Sequence, residues 1–168
     1  MTTSTRAFIL CADDFGLHPA VDEAVEQLCL AGRLSATSCM TNAPRWQQAA
    51  PRLKDLRPRL SVGLHFNLTE SYGGSVPAQP LGTVIRQAYA GHWSAPQMRA
   101  MWEQQLDAFE TALGTPPDFI DGHQHVHQLP GMCQAMLDVM LKRMRWLANL
   151  YRHYGPTSGI SVTAISIR

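Results

Sequence analysis

No apolar run in the 168 residues approaches the ~20 that a membrane-spanning helix needs, so no transmembrane segment is expected. An excess of one charge is also missing. Lys and Arg number 14 against 13 Asp and Glu, a net +1, and nothing draws the whole molecule toward nucleic acid or an anionic membrane. The opening stretch, MTTSTRAFIL, lacks the basic segment and long apolar segment of an export signal. The four cysteines, Cys11, Cys29, Cys39 and Cys133, have no C-x-x-C spacing, and each sits in an apolar run. That pattern predicts separate buried thiols rather than disulfides, and with them a reduced, cytoplasmic setting. Gly-rich phosphate loops, dinucleotide fingerprints and the G-x-S-x-G elbow are absent, which argues against nucleotide binding and serine hydrolysis.

What is present is a balanced globular composition, 45% apolar and 16% charged, of a length suited to one domain spanning residues 1–168. AFILC (7–11) reads as a buried strand that stops at the acidic turn ADDFG. Val21, Ala24, Val25, Leu28 and Cys29 then recur at helical spacing, with Gly32 as a C-terminal cap. The alternation repeats. ATSCMTN (36–42) is followed by a helix from about Arg45 to Leu53, and LSVGLHFNL (60–68) by a Gly- and Pro-rich loop, TESYGGSVPAQPLG. A long helix over about 96–113 precedes a short fourth strand, FID, and a last helix runs from about Gly131 to Leu150. Strands alternating with helices predict an α/β fold with a parallel sheet and right-handed crossovers.

In such sheets ligands bind outside the carboxyl ends of the strands. Asp13 and Asp14 follow strand one, Thr41 and Asn42 close strand two, His65 and Asn67 close strand three, and Asp121 to His127 follow strand four. The parallel arrangement therefore gathers all four groups on one rim. A carboxylate and two imidazoles suit a divalent ion such as Zn²⁺, Mg²⁺, Mn²⁺ or Fe²⁺, and a second carboxylate can serve as base for water. The paired aspartates fit that division of labour. Against it stand an N-cap and turn for the Asp pair, a hydrogen-bonded core role for His65, and a solvated loop for HQHVH. His18, His92 and His153 have no such context and read as surface or capping residues. Cys11 lies nearest the rim of the four thiols, within strand one and facing inward.

CADDFGLHPAVDEAV, SATSCMTNAP, VGLHFNLT and IDGHQHVHQLPG resemble, in order and spacing, the motifs of the YdjC-like family of carbohydrate deacetylases, which includes chitooligosaccharide deacetylases. The resemblance runs from about Phe8 to Leu141. It implies a (β/α) barrel of the polysaccharide-deacetylase type and metal-dependent hydrolysis of the N-acetyl group of an amino sugar. The cation would be Mg²⁺, with Zn²⁺ as the alternative. Carried onto this chain, Asp14 is the metal carboxylate, His65 and His123 are the imidazole ligands, and Asp13 is the catalytic base. His127 becomes the candidate for proton delivery or substrate contact. Asn42 and Asn67 are candidates for sugar hydroxyls, and Tyr72 and Trp93 for an aromatic wall, with Trp93 or Trp102 as alternative core residues. His125 shares the parity of His123 only if the segment stays extended.

From about Met144 onward the sequence departs from the family pattern, as a truncated or frameshifted product would, and the late His-Pro motif is not found. An eight-unit barrel takes ~250 residues and rarely fewer than ~200, so an incomplete barrel is expected, with a fifth strand at 159–167 at most. Its free edge would favour pairing with another chain, including a second copy of this one. An inactive remnant that keeps metal binding, and a metal-dependent amidase acting on a lipid-linked amino sugar, are the alternatives that remain open.

Overall fold

The computed structural model describes residues 9–72 and 78–154, with side chains through residue 144. Four strands, β1 (Cys11–Phe15), β2 (Ala36–Cys39), β3 (Ser61–Phe66) and β4 (Ile120–Gly122), form one parallel sheet in the order β1-β2-β3-β4. Helices α1 (Pro19–Leu30) and α2 (Trp46–Leu56) return the chain from β1 and β2, two helices, α3 (Leu81–Tyr89) and α4 (Ala95–Leu113), from β3, and α5 (Met132–Tyr154) follows β4. This is the parallel α/β arrangement with crossover helices that the alternating pattern predicts. The expected fifth strand at 159–167 lies outside the described residues.

Apolar spacing explains the helical layer. In α2, Trp46, Ala49, Ala50, Leu53 and Leu56 recur at intervals of three and four, and all are buried. Helix α1 starts where His18 Nδ1 accepts from Ala20 N and Pro19 pre-sets the first turn, so His18 caps as expected. Ser94 and Gln97 form a capping box at the start of α4, and Gly114 in the left-handed region stops it. Between helices and sheet, Phe66 stacks on Trp102 at 3.6 Å between centroids, and Trp46 on Phe109 at 5.8 Å. The indole N–H of Trp102 donates to the Met132 carbonyl at 3.0 Å, which makes Trp102 a core residue. Among the described residues no helix is long and apolar enough to cross a membrane.

Several boundaries differ from expectation for definable reasons. Strand one was expected at 7–11 with the aspartates beyond it, yet β1 carries both Asp13 and Asp14. A bulge makes this possible: pairing runs Cys11↔Ala36 and Ala12↔Thr37 and then shifts to Phe15↔Cys39, with Asp14 at φ 65. Asp121 sits within β4, opposite His65, as the expected strand FID implies. Helix α3 was not foreseen, because Pro77 and Pro80 mark its approach as loop. The segment His123–Gln128 does not stay extended but winds into a 3-10 turn with Gln124 and His125 at positive φ, which removes the shared parity expected of His123 and His125. Of the four cysteines Cys29 and Cys39 are buried as expected, whereas Cys11 and Cys133 are only half-buried.

The sheet is strongly curled. Adjacent strands lie ~4.8 Å apart, so a flat sheet would separate β1 from β4 by ~14 Å. Yet Asp14 Oδ1 on β1 lies 3.0 Å from Nδ1 of His123, the residue after β4. The reach of two side chains covers only part of that gap, and curvature supplies the rest, as in a segment of a barrel wall. Gly63 permits close packing under the curl, since a Cβ there would come within 2.5 Å of the Phe119 ring.

Candidate metal centre

The bulge in β1 determines which way the aspartates point. Asp14 in the left-handed region turns its carboxylate toward the carboxyl end of the sheet, where Oδ1 lies 3.3 Å from His65 Nε2 and 3.0 Å from His123 Nδ1. The non-glycine residues with positive φ among those described are Asp14, Gln124 and His125, and all belong to this region. Such conformations cost about 1 kcal/mol or more and persist where surrounding structure holds them. The loop behind the bulge supplies that hold. Asp22, wholly buried on α1, accepts from Gly16 N at 2.7 Å and from Arg45 Nε at 3.0 Å.

His65 is the hub. Its ring is buried on β3, with Nε2 toward Asp14 and Nδ1 2.7 Å from Asp121 Oδ1, while Ser38 Oγ stands 3.1 Å from the same nitrogen. Burial opposes the charged form, but the hydrogen bonds to Asp121 and Asp14 outweigh it and raise the imidazole to about 9. The reciprocal hydrogen bond from His65 holds the Asp14 carboxyl below its ordinary value despite partial burial, with His123 adding to the effect. Ser38 also donates to Asp13 Oδ1 at 3.1 Å, which places Asp13 beside His65 on the concave face of the sheet.

Asp14, His65 and His123 offer one carboxylate oxygen and two imidazole nitrogens, all within 4.8 Å of one another. Donors about 2.1 Å from a shared cation lie roughly 3.0–3.4 Å apart, and the separations of 3.0 and 3.3 Å match. The Nδ1 contact of His65 with Asp121 has the form in which a carboxylate orients a ligating histidine from behind. The donor set therefore fits a divalent cation. Sequence reasoning placed Asp121 on this rim without assigning it a role and did not single out Ser38, because both roles depend on strand register.

His127 packs against the backbone of Gly122, where any Cβ would collide with its ring, and burial lowers its pKa. Its Nδ1 is buried, with no hydrogen-bond partner of ordinary geometry among the described residues. Beside the centre lies a cavity of ≈ 280 Å³ whose lining includes Asn42, Asn67, Glu70, Tyr72, Trp93 and Gln104. The Tyr72 hydroxyl donates to Met40 Sδ at 3.4 Å, and burial, with Glu70 and Asp14 after it, pushes it up to about 12. Asn42 is exposed to this space. Asn67, expected to contact a sugar, also lines this cavity, where its side chain bonds to its own loop. Its Oδ1 accepts from the backbone N–H of Thr69 and Glu70, and its Nδ2 donates to Asn42 Oδ1 and the Glu70 carbonyl. With that capacity used, Asn67 shapes the wall.

A curled parallel α/β sheet bearing a two-histidine, one-aspartate pocket at its carboxyl end defines the class of protein. The chain belongs to the YdjC-like family, whose model matches residues 7–161. It is 35% identical to a human carbohydrate deacetylase, over 83% of this chain and 47% of that protein. To a chitooligosaccharide deacetylase of Serratia marcescens it is 36% identical, over 74% of this chain and 52% of the relative. The chain thus spans about half the length of the curated relatives it matches. A solved Enterococcus faecalis structure, assigned provisionally by name to cellobiose-phosphate cleavage, superposes with a TM-score of 0.60 at 23% identity. That match covers 82% of this chain and 55% of the other, and it supports the fold.

Proposed function

We propose that this chain is a metal-dependent carbohydrate deacetylase that hydrolyses the N-acetyl group of an amino sugar or chitooligosaccharide. The observation that carries the reading is the convergence of Asp14, His65 and His123, with Asp13 alongside on the same concave face. The names of the relatives support the reaction class. Asp14, His65 and His123 would hold the cation, Mg²⁺ or Zn²⁺. When bound it supplies Lewis-acid polarisation of the acetyl carbonyl and stabilises the negative charge that develops there.

The chain's own groups perform the proton transfers. Asp13 accepts the proton of the attacking water, and Ser38 holds that carboxylate in place. His127 is the group for proton delivery to the departing sugar amine: it first takes up a proton, as from Asp13 after water attack, and burial, which lowers its pKa, makes the resulting imidazolium a readier donor. Asn42, Tyr72 and Trp93 line the adjoining cavity, where an apolar ring and a polar amide together suit a pyranose. The free thiols among the described residues fit a reducing compartment, and we place the protein in the cytoplasm.

The test is acetate release from N,N'-diacetylchitobiose by the purified chain with Mg²⁺ or Zn²⁺, beside EDTA and Asp13→Asn samples. Loss of release with EDTA, and a ~10²–10⁴-fold fall in Asp13→Asn, is the expected result. A folded, metal-loaded sample that releases no acetate overturns the reading.

A further inference from the structure

The centre above uses one side of the His65 ring. The other side carries a second set of donors that the proposed reaction does not use as ligands. Cys11 Sγ, a carboxylate oxygen of Asp13 and one of Asp121 all lie within 4.8 Å of one another. They come from β1 and β4, the opposite ends of the strand order, and only the curl of the sheet brings them together. Ser38 adds a neutral oxygen, 3.1 Å from Asp13 Oδ1. Burial, and after it the Asp13 and Asp121 carboxylates, push the Cys11 thiol up to about 12.

We infer that Cys11, Asp13 and Asp121 form a second cation site, selective for thiophilic divalent ions, whose occupation switches the first centre off. Three anionic donors of which one is sulfur favour Zn²⁺, Co²⁺ or Cd²⁺ over Mg²⁺, which prefers oxygen and water. On binding, the Cys11 S–H bond breaks, its electron pair forms the bond to the ion, and its proton leaves to solvent. Occupation withdraws Asp13 from proton transfer and draws the Asp121 carboxylate from His65 Nδ1, so the second site opposes the first through residues that serve that centre without binding its cation. The inhibitory part rests on the proposed function; the binding part does not.

The experiment is a Cd²⁺ titration of the metal-free chain, following the ultraviolet thiolate-to-cadmium charge-transfer band together with bound metal. Two equivalents are expected to bind, one for each donor set, with the thiolate band belonging to the Cys11 set. Cys11→Ser and Cys11→Ala are each expected to lose the band and bind one equivalent, while Cys29→Ser, Cys39→Ser and Cys133→Ser keep the band. Using two Cys11 variants, with circular dichroism on each, separates loss of the ligand from loss of the fold. A band that survives in folded Cys11 variants, or wild type that binds one equivalent without it, overturns the site. Acetate release in Zn²⁺ should rise and then fall with added metal in wild type, and should not fall in Cys11→Ser. A band without any acetate release at any metal level leaves the second site standing and removes the deacetylase reading instead. Release that stays level while the band saturates overturns the inhibitory coupling.

Discussion

Replacing Asp121 by Asn keeps the size of the side chain and removes the charge that His65 Nδ1 faces at 2.7 Å. Partners of this kind change metal affinity by ~10–100-fold, so Asp121→Asn should weaken Mg²⁺ or Zn²⁺ binding by about that factor in calorimetric titration. Gly122→Ala acts on the other side. Its Cβ would lie 2.9 Å from that of His127, so the ring must move, with an expected stability loss of about 1–3 kcal/mol in urea unfolding and slower acetate release. In the metal-free protein His65 supplies a pH dependence of definite sign. Its folded pKa, about 9, exceeds the ordinary 6.5, so its contribution to stability is complete below about 6.5 and is lost as pH rises through about 9. Thermal melts in EDTA across that range check it, and unchanged melting would contradict a protonated His65. The rim on which Asp14, His65 and His123 meet was legible in the sequence because each lies at or just beyond a strand end, whereas the choice of these three as candidate ligands came from the family resemblance. Ser38 and the particular role of Asp121 were not legible, since their value lies in facing His65 across neighbouring strands, and register is invisible in a single chain of letters.

Two elements with similar local logic should respond differently to mutation. Ser94→Ala removes the capping box of α4, which supplies none of the three metal donors, and should cost about 1 kcal/mol while leaving metal affinity unchanged. Asp22→Ala leaves Gly16 N and the Arg45 guanidinium without their buried acceptor, at a cost of about 2 kcal/mol or more. Because Gly16 closes the bulge that turns Asp14, this variant should also bind metal more weakly, measured by the same titration. Equal metal affinity in the two variants would show that the bulge holds itself. The strand and helix order was readable from apolar spacing, as α2 and α4 illustrate. The bulge was not, because ADDFG reads equally as strand or turn until pairing with β2 decides it. Helix α3 was hidden by the prolines and glycines before it, although Leu81, Val84, Ile85 and Ala88 carry a helical spacing of their own.

At the scale of the molecule, ligands from β1, β3 and the turn after β4 make a bound cation a tie across the curled sheet. A ligand at 100 times its Kd stabilises the fold by about 2.7 kcal/mol, so Mg²⁺ or Zn²⁺ should raise the melting temperature by roughly 5–10 °C, and EDTA should reverse the shift. A melting temperature indifferent to metal would mean that the three donors do not act together. The curl has a further consequence, in time. Asp14 and His123 stand 109 positions apart, and synthesis at ~5–20 residues per second puts roughly 5–20 seconds between them. No earlier stage of the nascent chain holds a complete ligand set. Long-range parallel pairing is also among the slower steps of folding, so cation capture can follow only once β4 has docked. With the proposed cation the centre would act as a checkpoint: only a chain whose β4 has already docked beside β3 would hold the ion.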